Sequence, residues 1–209
     1  MICLSLTIRL PDWVEAYCQS LPPVVERIED RLRLAIELAR RNVAEGTGGP
    51  FGAAVFSASG RLVAAGVNLV VTSRCSLLHA EMVALALAQQ REGRFDLSAG
   101  GRFQYELCAS SEPCAMCFGA IPWSGVSRLV CGARVEDAEE VGFDEGPKPE
   151  HWAEALASRG IGVVRDLLRE EAVAVLRQYA ARGGCVYNAR SRADTRSASG
   201  AGQTHDRRQ

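Results

Sequence analysis

His79 and Glu81, two residues apart, and Cys114 and Cys117, three apart, are the residues of this 209-residue chain whose types and spacing could do chemistry. Imidazole nitrogen and thiolate sulfur are preferred donors for zinc, and a catalytic zinc keeps three protein ligands so that its fourth position is open to water. His79, Cys114 and Cys117 supply three. Water on such a metal loses its proton at about pKa 7, so hydroxide is at hand without a strong base. Glu81 is then left over to move protons, and hydrolysis is the chemistry expected. Each half of the pattern is weak alone, since C-x-x-C also occurs in redox pairs and as half of a structural zinc knuckle. A knuckle needs a fourth ligand, and the remaining histidines, His151 and His205, fall in a helix predicted to be exposed and in the tail. Cys75, four residues before His79, could also approach the metal, although three protein ligands already suffice.

The elements that must position these residues follow from hydrophobic period and punctuation. Apolar residues at helical spacing predict a first helix over residues 24–45, stopped by Gly46 and Gly48-Gly49. Residues 53–57 and 62–67 read as a β-hairpin about Ala58-Ser59-Gly60-Arg61, with Leu69-Val70-Val71 continuing extended. His79 opens a second helix that runs to Gly93. Residues two apart in mid-helix point to nearly opposite sides. His79 and Glu81 can therefore share one metal only if that helix aims its N-terminal end at it, where free N–H groups and the helix dipole also favour developing negative charge. A strand over 105–109 precedes Pro113, which suits the first turn of the next helix. Cys114 and Cys117 share a face there, and a helix N-terminus lowers thiol pKa toward the thiolate that zinc binds. Gly125 closes this helix. A strand over 128–131, a weak helix over 135–141, helices over 149–158 and 167–182 and a short strand over 161–164 complete the pattern. Alternating strands and helices predict an α/β fold, a three-layer α/β/α sandwich around a central mixed sheet of five strands.

Composition sets the frame. Hydrophobic residues at 47% and charged residues at 23% are ordinary for a globular chain. The length predicts one domain over residues 24–188, with an N-terminal extension over 1–23 that packs through Trp13 and a polar tail over 189–209. A net charge of −1 gives no field drawing the protein to phosphate backbones, so a nucleic-acid partner is not expected. The tail's arginines, among them Arg190 and Arg207, read as part of a mobile polar segment. The first ten residues do not read as a signal peptide and no stretch reaches the ~20 apolar residues of a membrane span, so a cytoplasmic protein with no membrane contact is expected. The eight cysteines read as mostly reduced thiols, with Cys108 and Cys131 in buried strands and Cys3, Cys18 and Cys185 without a role.

H-x-E followed by P-C-x-x-C is the signature of zinc-dependent deaminases of the cytidine deaminase superfamily. More narrowly, residues 49–55 (Gly-Pro-Phe-Gly-Ala-Ala-Val), 111–121 with Trp123, and Gly142-Phe143-Asp144-Glu145 resemble the bacterial guanine deaminases. The resemblance runs from the first long helix to Tyr187. It implies one Zn²⁺ per chain on His79, Cys114 and Cys117, with Glu81 as general acid and base. It further implies that Glu145, in a turn otherwise read as a solvated loop, lies over the substrate amine. Asn68 is a turn residue on the residues alone. Its carboxamide can donate and accept, as reading a purine edge requires, and the resemblance assigns it to the base. Phe51 and Trp123, otherwise readable as core, would flank the ring, Ala80 would belong to the same substrate-binding set, and Tyr187 would help close the pocket. The implied reaction is the hydrolysis of guanine at C2 to xanthine and ammonia, Glu81 protonating the ring nitrogen and both glutamates serving the departing amine. A homodimer with exchanged C-terminal segments is also implied. Another free base, a nucleoside or an aminotriazine as substrate, a tRNA adenosine deaminase, and a zinc-stabilised binding protein without turnover stand as alternatives.

Overall fold

The computed structural model describes residues 5–188. In chain order they form α1 (Asp12–Gln19), α2 (Ile28–Ala44), β1 (Gly52–Ser57), β2 (Leu62–Val67), α3 (Val70–Ser73), α4 (Ala80–Glu92), β3 (Tyr105–Ser111), α5 (Ala115–Ser124), β4 (Arg128–Ala133), α6 (Val135–Glu140), α7 (Trp152–Ala157), β5 (Gly162–Val164) and α8 (Arg169–Ala181). The five strands lie in the order β2-β1-β3-β4-β5. β1 is antiparallel to β2 and β3, while β3, β4 and β5 run parallel. The sheet is mixed because the hairpin needs only a short turn, whereas each later strand is reached through a crossover carrying a helix.

Side chains alternate across the strands, so each face buries its own core. Ala54, Phe56, Cys108 and Val130 point to the face covered by α2 and α8. Ala53, Val55, Leu107, Ala109, Leu129 and Cys131 point to the face covered by α4, α5 and α7. The helix–sheet–helix sandwich expected from the alternation of elements is thus present, with Cys108 and Cys131 inside it.

Where α4 meets the sheet, Gly66 decides the approach. A Cβ there would lie 2.3 Å from the carbonyl oxygen of Ala80 and 2.6 Å from the nitrogen of Ala84. The first turn of α4 therefore rests on the backbone of β2, which fixes the height of His79 just before it.

Three local readings differ. Residues 12–19, left without a period in the sequence, form α1, whose Val14 is buried against the α2 face. Two of its helical turns suffice to bury a single residue, too little for a periodic signal. Leu69-Val70-Val71 does not continue the strand. The chain turns at Asn68, whose side-chain oxygen accepts from the N–H of Val70, and enters α3. Pro113 stands ahead of α5, outside its first turn, because Cys114 is the N-cap. Among the described residues no helix is long and apolar enough to cross a membrane. The predicted tail over 189–209 and Cys3 lie outside the described residues.

Candidate metal centre and active site

His79 is the N-cap of α4 and Cys114 the N-cap of α5, both with extended backbone. Neither helix has a capping side-chain hydrogen bond, and the first N–H of α5, that of Ala115, is taken by the carbonyl of Glu145. One helical turn into α5, the thiol of Cys117 turns back toward Cys114. The Sγ atoms of Cys114 and Cys117 lie 3.5 and 3.7 Å from His79 Nδ1. Zinc–sulfur and zinc–nitrogen bonds of about 2.3 and 2.0 Å at a tetrahedral angle require a separation of about 3.5 Å. The three ligand atoms all fall within 4.8 Å of one another. Donor types and spacing fit Zn²⁺, and no further His, Cys, Asp or Glu among the described residues joins the cluster. Cys75 packs against the hydrophobic core and takes no part.

The triad opens into a cavity of 310 Å³, the small end of the usual range for ligand sites. Glu81, the second residue of α4 and buried, lines the cavity beside the ligand set. Burial, aided by the charge of Cys114, pushes its pKa up to about 7. Across the cavity Glu145 is also buried and pushed up to about 8, again first by burial and then by the charges of Cys114 and Glu81. The Cys114 thiol is held down at about 4, chiefly by the hydrogen bond it accepts from Cys117, with His79 beside it. Two carboxyl groups poised near neutrality beside a thiolate–imidazole set form an arrangement able to pass protons in both directions.

Glu145 reaches this place because its loop is tied at both ends. Its carbonyl accepts from Ala115 N–H at 2.9 Å, and Asn188 takes Asp144 N–H at 2.9 Å while donating to Gly142 O at 2.8 Å. Behind the cysteines, Lys148 Nζ donates to Pro113 O at 2.8 Å, and Arg165 donates to buried Glu112 at 2.6 Å. The aromatic wall is formed by Phe51, Phe143 and Tyr187, with ring centroids 5.0 Å apart for Phe51 and Phe143 and 5.2 Å for Phe143 and Tyr187. Asn68, fully buried at the end of β2, gives one amide N–H to Tyr187 Oη at 2.7 Å. It lines the cavity, and with its oxygen accepting from Val70 N–H the carboxamide keeps a second N–H and one lone pair that no other described residue takes.

The zinc-binding region of cytidine and deoxycytidylate deaminases matches residues 25–133. The chain belongs to that family. A solved guanine deaminase from Nitrosomonas europaea is 49% identical, with a TM-score of 0.81 over 87% of this chain and 99% of that one. Another solved chain, a variant in complex with 8-azaguanine, is 50% identical with a TM-score of 0.80 over 85% and 98%. The guanine deaminase of Bacillus subtilis is 38% identical over 117 residues, which is 56% of this chain and 71% of that protein.

Of the residues singled out in the sequence, His79, Cys114, Glu81, Glu145, Asn68 and Phe51 all line the cavity, with Cys117 buried behind it. Trp123 and Ala80 do not. Trp123 is 80% exposed on α5, because Cys117 and Ile121 set the inward face and a residue two past Ile121 points away from it. Within one chain Trp123 therefore flanks no ring, and Phe143 stands against Phe51 instead. Ala80 is fully buried with its side chain in the core against the sheet. Phe143, Ser76 and Asn188 also line the cavity and were missed. Phe143 had a signal, since it is the only large apolar residue in a polar Gly-bounded turn.

Proposed function

We propose that this chain is a zinc-dependent guanine deaminase that converts guanine and water to xanthine and ammonia. The observation that carries the reading is that two buried carboxyls and a buried carboxamide share one aromatic-lined cavity with a His/Cys/Cys set of zinc-bonding geometry. The relatives named above, two of them guanine deaminases and one binding 8-azaguanine, support the choice of base. His79, Cys114 and Cys117 would hold the zinc, which when bound would supply a Lewis acid able to activate water near neutral pH. Glu81, buried beside the ligand set, is the group that holds a proton and passes it to the ring nitrogen beside C2. Glu145, facing the exocyclic amine, helps deliver the proton with which ammonia leaves. Asn68 reads the purine edge, and Phe51 with Phe143 and Tyr187 holds the ring and excludes water. A base with the wrong edge would leave the buried Asn68 unpaired, a large penalty in a closed site.

Residues 24–188 are the catalytic domain in this reading, with 1–23 an extension whose described residues pack on it through Val14 and Trp13. The protein acts as a homodimer, supported by α5, an almost wholly apolar helix of which only Cys117, Ile121 and Ser124 are buried and which displays Trp123 outward. Tyr187 lies against Asn68 within the described chain. A reducing, cytoplasmic setting suits thiolate ligands and free thiols.

Ammonia release measured with guanine, guanosine, cytosine, cytidine, adenine and aminotriazines tests the assignment, guanine being expected to lead. Glu81→Gln should abolish turnover and keep zinc; normal deamination by that variant would refute the proton shuttle. Solution mass tests the dimer.

A further inference from the structure

Helix α1 lies outside the residues shared with the family's zinc-binding region and lines no part of the cavity, yet it is wired to it. Val14 buries it on the body and Arg41 of α2 stacks its guanidinium 4.2 Å over the Tyr17 ring. From Trp13 a chain of hydrogen bonds runs inward. Trp13 Nε1 donates to Thr47 Oγ1 at 3.1 Å, and the Thr47 hydroxyl donates to Asn42 Oδ1 at 2.7 Å. Asn42 Nδ2 then donates to the carbonyls of Gly49 and Asn68, each at 2.9 Å. Asn42 is fully buried, and every bond it makes has a defined direction: two carbonyls can face only its NH₂ and the hydroxyl only its oxygen. The backbone it grips has no slack, since a Cβ on Gly48 would lie 1.9 Å from Asn68 O and 2.6 Å from Asn42 Nδ2. Asn68 is thus held from behind by Asn42 and from the cavity side by Tyr187.

We propose that Asn42 is a positioning residue for base binding by Asn68, and that α1 orients it through Trp13 and Thr47. The inference rests on the reading above in which Asn68 contacts the base. Asn42 touches no substrate. Its work is to hold the Asn68 backbone so that the free N–H and lone pair of that carboxamide meet a purine edge without rearrangement, which lowers the ordering cost of binding. Because the bonds share one polarity, each strengthens the next, and loss of the outermost should be felt weakly at the innermost.

The test uses zinc-loaded full-length chain with guanine for kinetics and 8-azaguanine for direct binding. Trp13→Phe removes the indole N–H while keeping a ring, Thr47→Val is nearly isosteric, and Asn42→Asp replaces the NH₂ by an oxygen facing two carbonyls. KM and the 8-azaguanine Kd should rise about twofold, about fivefold and tenfold or more, respectively, the range expected for loss of one to two buried hydrogen bonds. Turnover at saturation should stay within about twofold and zinc content should not change. In an Asn68→Ala background, Trp13→Phe and Thr47→Val should no longer move KM or Kd, which a general loss of stability would not produce. The two milder variants decide the matter should Asn42→Asp fail to fold. The inference is overturned if Trp13→Phe and Thr47→Val lower Tm yet leave KM and Kd at the wild-type values, or if their effects persist without the Asn68 side chain. A wild-type chain that neither deaminates guanine nor binds 8-azaguanine would instead remove the functional reading, and this inference with it.

Discussion

The height of α4 above β2 sets the position of a zinc ligand, and Gly66→Ala perturbs that height directly. The new methyl carbon would lie 2.3 Å from Ala80 O and 2.6 Å from Ala84 N, where ordinary contact begins near 3.4 Å. The first turn of α4 must retreat by about 1 Å, and His79, covalently joined to Ala80, retreats with it. Zinc sites tolerate bond-length departures of about 0.2 Å, and a misplacement of about 1 Å can cost about 10²-fold in rate. Overpacking itself costs about 1–3 kcal/mol. Gly52→Ala is the matched control, since its methyl would meet Ala35 O at 2.3 Å and Ala39 N at 2.6 Å, crowding α2 and not α4. Both variants should lose comparable stability in thermal melts. Only Gly66→Ala should lose zinc affinity, by tenfold or more against a chromogenic chelator, together with about 10²-fold of guanine deamination. Wild-type zinc affinity in Gly66→Ala, or an equal loss in Gly52→Ala, would show that helix height does not set the metal site.

Burial raises Glu145 to about 8 in the metal-free fold, far above an ordinary glutamate. The folded chain therefore keeps a proton that the unfolded chain releases, so chelator-treated protein should lose stability as pH rises from about 5 to about 8. Glu145→Gln should flatten that slope in thermal melts; parallel slopes would contradict it. Tyr187→Phe deletes the hydroxyl that accepts from Asn68 but keeps its ring beside Phe143, so the guanine KM should rise about fivefold with little change in kcat. An unchanged KM would free Asn68 of that dependence. The Asp137 carboxyl is held below its usual range first by the hydrogen bonds of Arg169, at 2.7 and 2.8 Å. A depressed pKa gives stability that is full above the unfolded value and lost as pH falls through the folded one. The Tm difference between wild type and Arg169→Leu should therefore be present at about pH 7 and close as pH falls below the ordinary carboxylate range; a gap of constant size would exclude the ion pair as its source.

The sequence by itself determined the donors. Imidazole, two thiols and a spare carboxylate are chemical identities, and H-x-E and C-x-x-C are short enough for local geometry to place each pair at a helix start without knowledge of the rest of the chain. The alternation of runs was equally legible, since a sheet covered on both faces imposes period 2 on its strands and 3.6 on its helices. What lines the cavity was decided only by the tertiary structure. Trp123 and Phe143 are both aromatics near the motifs, and nothing local separates them; the one faces out because Ile121 faces in, and the other faces in because Asn188 and Ala115 clamp its loop over the metal site. The raised pKa values of Glu81 and Glu145 are likewise products of burial, which no residue carries alone. Nor could spacing reveal that Trp13 communicates with Asn68, because that link runs through Thr47 and Asn42, and such chains exist only after distant segments have packed.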